Sequence, residues 1–289
     1  MSTALRCAGL GHRYGRKIWG LRDCSLDVPA GRVVALVGPN GSGKTTLMSM
    51  AAGLLPASTG RVEAAGGAPA HRLDKIGFVA QDAPLWPRLR VADVLEIGRC
   101  MNRGFDAAMA SQRIRRLGIR PRARISALSG GERAQVALTL VLAKRPELFL
   151  LDEPTANLDP LARREFLASM FEACSETGAT VLYSSHSVAE LERICDYLIV
   201  LRAGRIQVAD DIDELREQHR VVSGPEGWPG HGGWQVISQR NLGGRTTALV
   251  RSGGQLAGPG LQEEAPSFDE LVLGYLDGDA AARPAEIPA

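Results

Sequence analysis

The chain has 289 residues, of which 45% are hydrophobic and 23% are charged, an ordinary balance for a globular protein with a sizeable core. Its 34 basic and 32 acidic residues leave a net charge of +2, which gives no reason to expect nucleic acid or an anionic membrane as a partner. The five cysteines are scattered, and no apolar run approaches the roughly 20 residues of a membrane span. We therefore expect a protein of the reducing cytosol, held by another chain if it acts at a membrane.

Short apolar runs and helical periodicities alternate along most of the chain. The predicted strands are a pair within 4–28, buried runs at 32–37, 148–151 and 179–184, and a hairpin over 197–208. The predicted helices are at about 45–52, within 82–145, and at about 161–177. Alternating elements of this kind indicate a mostly parallel α/β sheet.

The composition changes beyond about His219, where glycine, proline and tryptophan dominate residues 221–234. Short β-like stretches follow, and 268–276 is an apolar helix candidate. We predict a small accessory region over 218–279 and a disordered tail over 280–289.

A glycine-rich loop between a buried strand and a helix is the first candidate site. It consists of Gly38, Pro39, Asn40, Gly41, Ser42, Gly43, Lys44 and Thr45, and fits the P-loop pattern. Glycines let several backbone N–H groups point at phosphate oxygens, and the following helix adds its positive end. Lys44 is one of only four lysines in an arginine-rich chain, and a compact ammonium suits so tight a loop better than a guanidinium. The Thr45 hydroxyl is a hard oxygen ligand suited to Mg²⁺.

Two carboxylates, Asp152 and Glu153, follow the apolar run 148–151. Ligands of an open α/β sheet bind beyond the carboxyl ends of its strands, so we expect both acids near the phosphate loop. Asp152 is the expected Mg²⁺ ligand. Because successive strand residues alternate faces, Glu153 is expected to point differently and to act as a general base toward water.

The stretch 128–135 (Leu-Ser-Gly-Gly-Glu-Arg-Ala-Gln) resembles the LSGGQ signature of ATP-binding cassette (ABC) proteins. Ser129, Gly130 and Gly131 open a helix, which makes a second anion-binding helix start in one chain. One nucleotide has no need of two, so we expect the second to complete the ATP site of a neighbour in a head-to-tail dimer. Glu132 departs from the glutamine of many members, and its charge would weaken ATP capture unless the side chain faces away.

Other family elements follow in order. Tyr14 resembles the aromatic residue that stacks on adenine, although it could be an ordinary strand tyrosine. Gln81 resembles the glutamine that senses Mg²⁺ and the γ-phosphate, and His186 resembles the switch histidine that supports catalysis. Residues 157–160 resemble the loop that crosses the dimer interface, and Thr46 joins the nucleotide-binding residues.

The resemblance covers about 4–217 and implies a P-loop NTPase core. It also implies an N-terminal antiparallel β subdomain, a helical subdomain at about 82–145, and ATP with Mg²⁺ as cofactors. The expected function is ATP hydrolysis at the cytoplasmic face of a membrane, powering a separately encoded permease. The expected assembly is a homodimer or a pair with a related subunit, without nucleic acid. A soluble ABC ATPase acting on ribosomes or DNA is the alternative, although the compact segment 81–128 and the absence of a basic patch favour a transporter.

Two finer expectations concern partner and direction. Leu85, Trp86 and Leu89 lie where the family receives a coupling helix of the membrane subunit, although they could also pack within the domain. The C-terminal stretch 266–276 resembles the ending of bacterial drug- and antibiotic-exporter ATPases, so we expect export of a drug-like compound.

Overall fold

A computed structural model of the chain describes residues 2–15, 17–82, 84–156, 158–185, 187–226, 228, 234–252 and 260–278. The strands are β1 (Thr3–Tyr14), β2 (Ile18–Pro29), β3 (Val33–Val37), β4 (Thr59–Ala64), β5 (Ile76–Val79), β6 (Leu148–Asp152), β7 (Thr180–Ser184), β8 (Tyr197–Arg202), β9 (Arg205–Asp211), β10 (His219–Pro225), β11 (Gln235–Leu242), β12 (Arg245–Arg251) and β13 (Gln262–Glu264). The helices are α1 (Lys44–Ala51), α2 (Val91–Met101), α3 (Ala107–Arg116), α4 (Gly130–Ala143), α5 (Pro160–Thr177), α6 (Val188–Glu192), α7 (Ile212–Gln218) and α8 (Phe268–Asp277).

The central sheet has six strands in the order β5-β6-β7-β3-β8-β9. All neighbours in it are parallel except β8 and β9, which form an antiparallel hairpin. Every residue of β6 and β7 is buried, as expected for strands covered on both faces. The predicted parallel α/β sheet is confirmed, and its strand order brings the ends of β3, β6 and β7 together.

An antiparallel sheet in the order β2-β1-β4 lies at the N-terminus. Its buried residue Leu21 shares a core cluster with Leu47 and Met48 of α1. The predicted N-terminal β subdomain is therefore present and packs against the helix that follows the glycine-rich loop. The third strand, β4, was not predicted, because only one of its six residues is fully buried and the apolar signal is weak.

The helical segment after β5 has a core of its own, built from buried residues of α2, α3 and α4 such as Val94, Ile114 and Val136. The opposite side of α4 contributes Leu138 and Leu142 to the core of the central sheet. Helix α4 thus joins the helical segment to the sheet.

The C-terminal part forms a four-stranded antiparallel sheet in the order β11-β12-β10-β13. Helix α8 inserts Phe268, Leu271 and Val272 into the same core cluster as Leu198 of β8 and Leu215 of α7. Strand β10 lies in the stretch where the sequence showed only a change of composition. The predicted tail, 280–289, lies outside the described residues.

None of the described helices is long and apolar enough to cross a bilayer.

Candidate functional site

The glycine-rich loop runs from Gly38, at the end of β3, to Gly43, just before α1. A Cβ on Gly38 would lie 2.1 Å from the carbonyl oxygen of Leu201, so the loop packs directly against β8. Gly43 has φ +109°, and a Cβ there would lie 2.5 Å from the carbonyl oxygen of Gly20. These two glycines are required by close backbone approach, one of them also by its left-handed conformation. The tip of the loop, including Pro39, is exposed.

Lys44 lies inside this loop with a side chain that is only 6% exposed. Its Nζ donates hydrogen bonds to the carbonyl oxygens of Gly38 at 2.8 Å and Pro39 at 3.4 Å. The same Nζ lies 3.7 Å from Oε1 of Glu153. The structure thus brings together the lysine and one of the two carboxylates that the sequence singled out.

Asp152 and Glu153 are held by the end of the neighbouring strand β7. The Ser184 hydroxyl donates to Oδ1 of Asp152 at 3.0 Å, and Asp152 is 3% exposed. The backbone N–H of Glu153 donates to the Ser184 hydroxyl at 3.0 Å. Ser184 was not predicted as a site residue, and its position at the end of the strand next to β6 was the available signal.

From the sequence, strand alternation was expected to point Glu153 in a different direction from Asp152, and this explanation is wrong. Strand β6 ends at Asp152, and Glu153 adopts a left-handed backbone with φ +47°. The turn, and not strand alternation, therefore aims the Glu153 carboxylate at Lys44. A non-glycine residue in this region costs on the order of 1–3 kcal/mol, and such strain persists where the surroundings enforce it.

A buried chain of hydroxyl groups lies behind the carboxylates. Tyr183 donates to Oε1 of Glu190 at 2.7 Å and accepts from the Thr155 hydroxyl at 2.9 Å. Burial, with the Glu190 carboxylate adding to it, raises the pKa of the Tyr183 hydroxyl above its ordinary value. The tyrosine therefore stays neutral and links the turn after β6 to helix α6.

Tyr14, the last residue of β1, lies beside the first turn of α1. Its hydroxyl is 3.1 Å from Oγ1 of Thr46, and the residue is 45% exposed. Gly20 leaves room for the ring, since a Cβ there would lie 2.7 Å from Cε2 of Tyr14. Tyr14 is thus an exposed aromatic surface beside the loop, whereas Thr46 itself is buried.

The remaining predicted site residues belong to several different elements. Thr45 is exposed in the first turn of α1, and Gln81 is exposed in the turn after β5. His186 and Asn157 lie outside the described residues. Asp159 accepts hydrogen bonds from the N–H groups of Leu161 and Ala162, so it caps α5.

The signature segment forms the capped start of α4. The Ser129 hydroxyl accepts from the N–H of Glu132 at 3.1 Å, and the Glu132 carboxylate accepts from the N–H of Ser129 at 2.8 Å. This reciprocal pair is a capping box. The Glu132 carboxylate is therefore directed to its own helix start, while Ser129 and Gly130 are exposed.

The helix start of α4 and the glycine-rich loop are separate sites in one chain. Among the described residues, no hydrogen bond or ion pair given by the structure joins 129–131 to 38–46. No described cluster of three or more His, Cys, Asp and Glu side chains could hold a metal ion by itself.

Comparisons with known proteins agree with this geometry. The profile of the family described as ABC transporter matches residues 21–156. The Fe(3+) ions import ATP-binding protein FbpC of Streptomyces coelicolor is 38% identical over 64% of this chain, which spans 56% of that relative's length. The aliphatic sulfonates import ATP-binding protein SsuB 2 of Xanthomonas axonopodis is 37% identical, over 70% of this chain and 69% of the relative.

A comparison with solved structures indicates the same family. A solved structure described as the ATP binding subunit of an ABC transporter superposes with a TM-score of 0.67 at 28% identity. It covers 75% of this chain and 93% of its own. The chain therefore belongs to the ABC transporter family, among its ATP-binding cassettes, which are ATPases.

Proposed function

We propose that the chain binds and hydrolyses ATP to power transport through a separate membrane protein. The proposal rests on one observation. The buried Nζ of Lys44 lies 3.7 Å from Oε1 of Glu153, next to Asp152, whose carboxylate accepts a hydrogen bond from the Ser184 hydroxyl. A cation held in a glycine-rich loop at a helix start suits a polyphosphate, and a carboxylate next to it suits the activation of water.

The residues of the loop have distinct roles in this proposal. Lys44 exchanges its bonds to the carbonyl groups of Gly38 and Pro39 for bonds to phosphate oxygens. Thr45, Gln81 and Asp152 would hold Mg²⁺, which neutralises phosphate charge when bound; a hydroxyl, an amide oxygen and a carboxylate fit its preference for oxygen ligands. Glu153 accepts a proton from the attacking water.

His186 is proposed to contact the γ-phosphate. Tyr14 offers its exposed ring to the adenine, a stacking contact worth roughly 1–3 kcal/mol. The backbone and side chains from Gly38 to Thr46 then enclose the phosphates.

A second chain completes the site. Ser129 and Gly130 are exposed at a helix start, where free N–H groups and the positive helix end favour an anion. We place the partner's ATP there, in a head-to-tail homodimer or a pair with a related subunit. The capping box holds the Glu132 carboxylate on the Ser129 N–H of its own chain, at this helix start, so its charge opposes the partner's phosphate while the N–H groups beyond Ser129 remain for it.

The membrane partner is proposed to dock near Trp86, so that the chain lies at the cytoplasmic face of the membrane. Trp86 is 56% exposed, whereas Leu85 and Leu89 pack partly against the helical core. The alternative of ordinary packing thus fits the two leucines, and Trp86 is the side chain available to a partner.

The direction of transport is a separate matter. The expectation of drug-like export came from the C-terminal stretch 266–276, whereas the relatives named above are import proteins. Those relatives give no support to export, and they favour a transporter over a ribosomal or DNA-associated ATPase. We propose ATP-driven transport without a direction; ATP-dependent uptake into inside-out vesicles carrying the cognate permease would establish export.

The substitution Glu153→Gln tests the ATPase proposal. Loss of the base should lower turnover by roughly 10²–10⁴-fold while ATP still binds. The variant should also form an ATP-dependent dimer, measured by analytical ultracentrifugation with and without ATP. Glu147→Gln is the matched control, since Glu147 is an exposed residue paired with Lys75 at the other end of β6. Unchanged hydrolysis in Glu153→Gln would refute the role given to Glu153.

A further inference from the structure

The helical segment carries a dense run of arginine that the ATPase chemistry does not use. Residues 113–124 contain six arginines, and no acidic residue follows them before Glu132. The first of these, Arg113, is partly buried and donates to Oε1 of Gln135 at 2.6 Å. The later ones are exposed. With a net charge of only +2 for the whole chain, such a run is a local concentration of charge.

Folding brings two more arginines to the same place. The stretch before α2 runs antiparallel to the stretch before the signature, with Arg90 opposite Arg124. The N–H of Ile125 donates to the Leu89 carbonyl at 2.9 Å, and the N–H of Val91 donates to the Ala123 carbonyl at 3.0 Å. The two stretches are thus held side by side as a short ribbon.

Arg90 and Arg124 lie directly opposite each other across this ribbon, so their side chains leave the same face. Arg88, Arg120 and Arg122 are exposed in the adjoining turns, which are closed by the bonds from the N–H of Leu89 to the Trp86 carbonyl and from the N–H of Ala123 to the Arg120 carbonyl. We call these neighbouring exposed arginines the arginine surface; it consists of Arg88, Arg90, Arg120, Arg122 and Arg124. The sequence-based expectation that the chain has no basic patch is therefore wrong.

The part of the chain that the structure describes does not neutralise the arginine surface. None of its five side chains forms an ion pair with a described residue. The nearby carboxylate of Asp93 accepts a hydrogen bond from the backbone N–H of Arg90 instead. Five exposed guanidinium groups in neighbouring segments therefore favour an anionic partner with several charges.

An exposed tryptophan lies at the edge of this surface. Trp86 is 56% exposed, and its carbonyl accepts from the N–H of Leu89 at 3.2 Å, so the indole is on the turn that leads into the ribbon. The proposed function assigns this indole to the membrane partner, so the arginines are the groups available to lipid. A single aromatic residue does not make the series of stacking platforms that a single-stranded nucleic acid uses.

We propose that the arginine surface binds the anionic phospholipid headgroups of the membrane, while Trp86 beside it remains available to the membrane partner. This inference rests on the proposed function, because a transporter subunit works next to a membrane. Phosphate groups on a fluid surface can match five exposed guanidinium groups without a shaped pocket. The contact would be electrostatic and would weaken as salt is added.

Flotation of the full chain with vesicles tests the proposal. The vesicles are phosphatidylcholine alone or phosphatidylcholine mixed with phosphatidylglycerol, at low and high salt. The surface variant combines Arg88→Gln, Arg90→Gln, Arg122→Gln and Arg124→Gln. The control variant makes the same charge change at exposed arginines elsewhere, namely Arg22→Gln, Arg61→Gln, Arg193→Gln and Arg245→Gln.

We expect the unchanged chain to bind only the anionic vesicles. Each arginine contributes roughly five-fold to such binding, so the surface variant should lose on the order of several hundred-fold. The control variant should lose far less.

Soluble ATPase activity, measured on the same samples, separates the two proposals. An unchanged chain that hydrolyses ATP but ignores anionic vesicles refutes the lipid contact alone, and equal binding by the surface variant also refutes it. Tighter binding to single-stranded RNA than to the vesicles, lost in the surface variant, overturns it in favour of nucleic acid. A chain that binds the vesicles but lacks ATPase activity refutes the proposed function alone.

Discussion

The substitution Tyr275→Phe should loosen the C-terminal helix from the rest of the protein. The Tyr275 hydroxyl lies 2.8 Å from Nε2 of His219, which is fully buried. Nδ1 of the same imidazole lies 2.8 Å from the carbonyl of Leu215, which can only accept a hydrogen bond. Nδ1 therefore carries the proton in the neutral ring, and Nε2 accepts from Tyr275. This bond joins α8 to the junction of α7 and β10.

The expected magnitude follows from the burial of both partners. Phenylalanine keeps the ring that packs in the core but leaves Nε2 of His219 without its donor. A buried polar atom left unsatisfied costs about 1–3 kcal/mol. For a domain of this size each kcal/mol shifts the melting temperature by about 2–4 °C.

Urea and thermal denaturation at pH 8, where the imidazole is neutral, measure this loss. Tyr197→Phe is the control, because its hydroxyl makes a longer bond of 3.4 Å to the carbonyl of Asp27. It should cost clearly less. A Tyr275→Phe variant as stable as the unchanged chain would refute the inference that this bond fastens α8.

Three further outcomes are expected. Burial, as the largest cause, lowers the pKa of His219 below its ordinary 6.5. The stability that the buried neutral ring contributes is therefore present above pH 6.5 and is lost as the pH falls through the folded-state pKa. An NMR titration of the ring measures that pKa. Lys44→Ala should abolish ATP binding, and unchanged affinity in a nucleotide titration would contradict the role of the loop. Ser129→Ala should cost about 1 kcal/mol of stability and, in the Glu153→Gln background, prevent ATP-dependent dimerisation. Ser267→Ala removes the equivalent cap of α8 and should cost similar stability while leaving the dimer intact.

Several elements were predictable because their signals are local. The glycine-rich loop, the apolar run that becomes β6, and the serine that caps α4 each depend on neighbouring residues in the chain. Strands β4 and β10 were missed for the opposite reason. Half of β4 is exposed, and β10 contains Gly224 and Pro225, so their pairing depends on partners that are distant in sequence.

The sequence by itself determined the family and the identity of the residues that form the phosphate loop, because short motifs specify local backbone and chemistry. The tertiary structure alone decided how they meet. The register of β6 beside β7 places Ser184 against Asp152, and the left-handed turn at Glu153 aims its carboxylate at Lys44. The pairing of two remote stretches likewise brings Arg90 opposite Arg124, since contacts of this kind depend on the packing of whole elements.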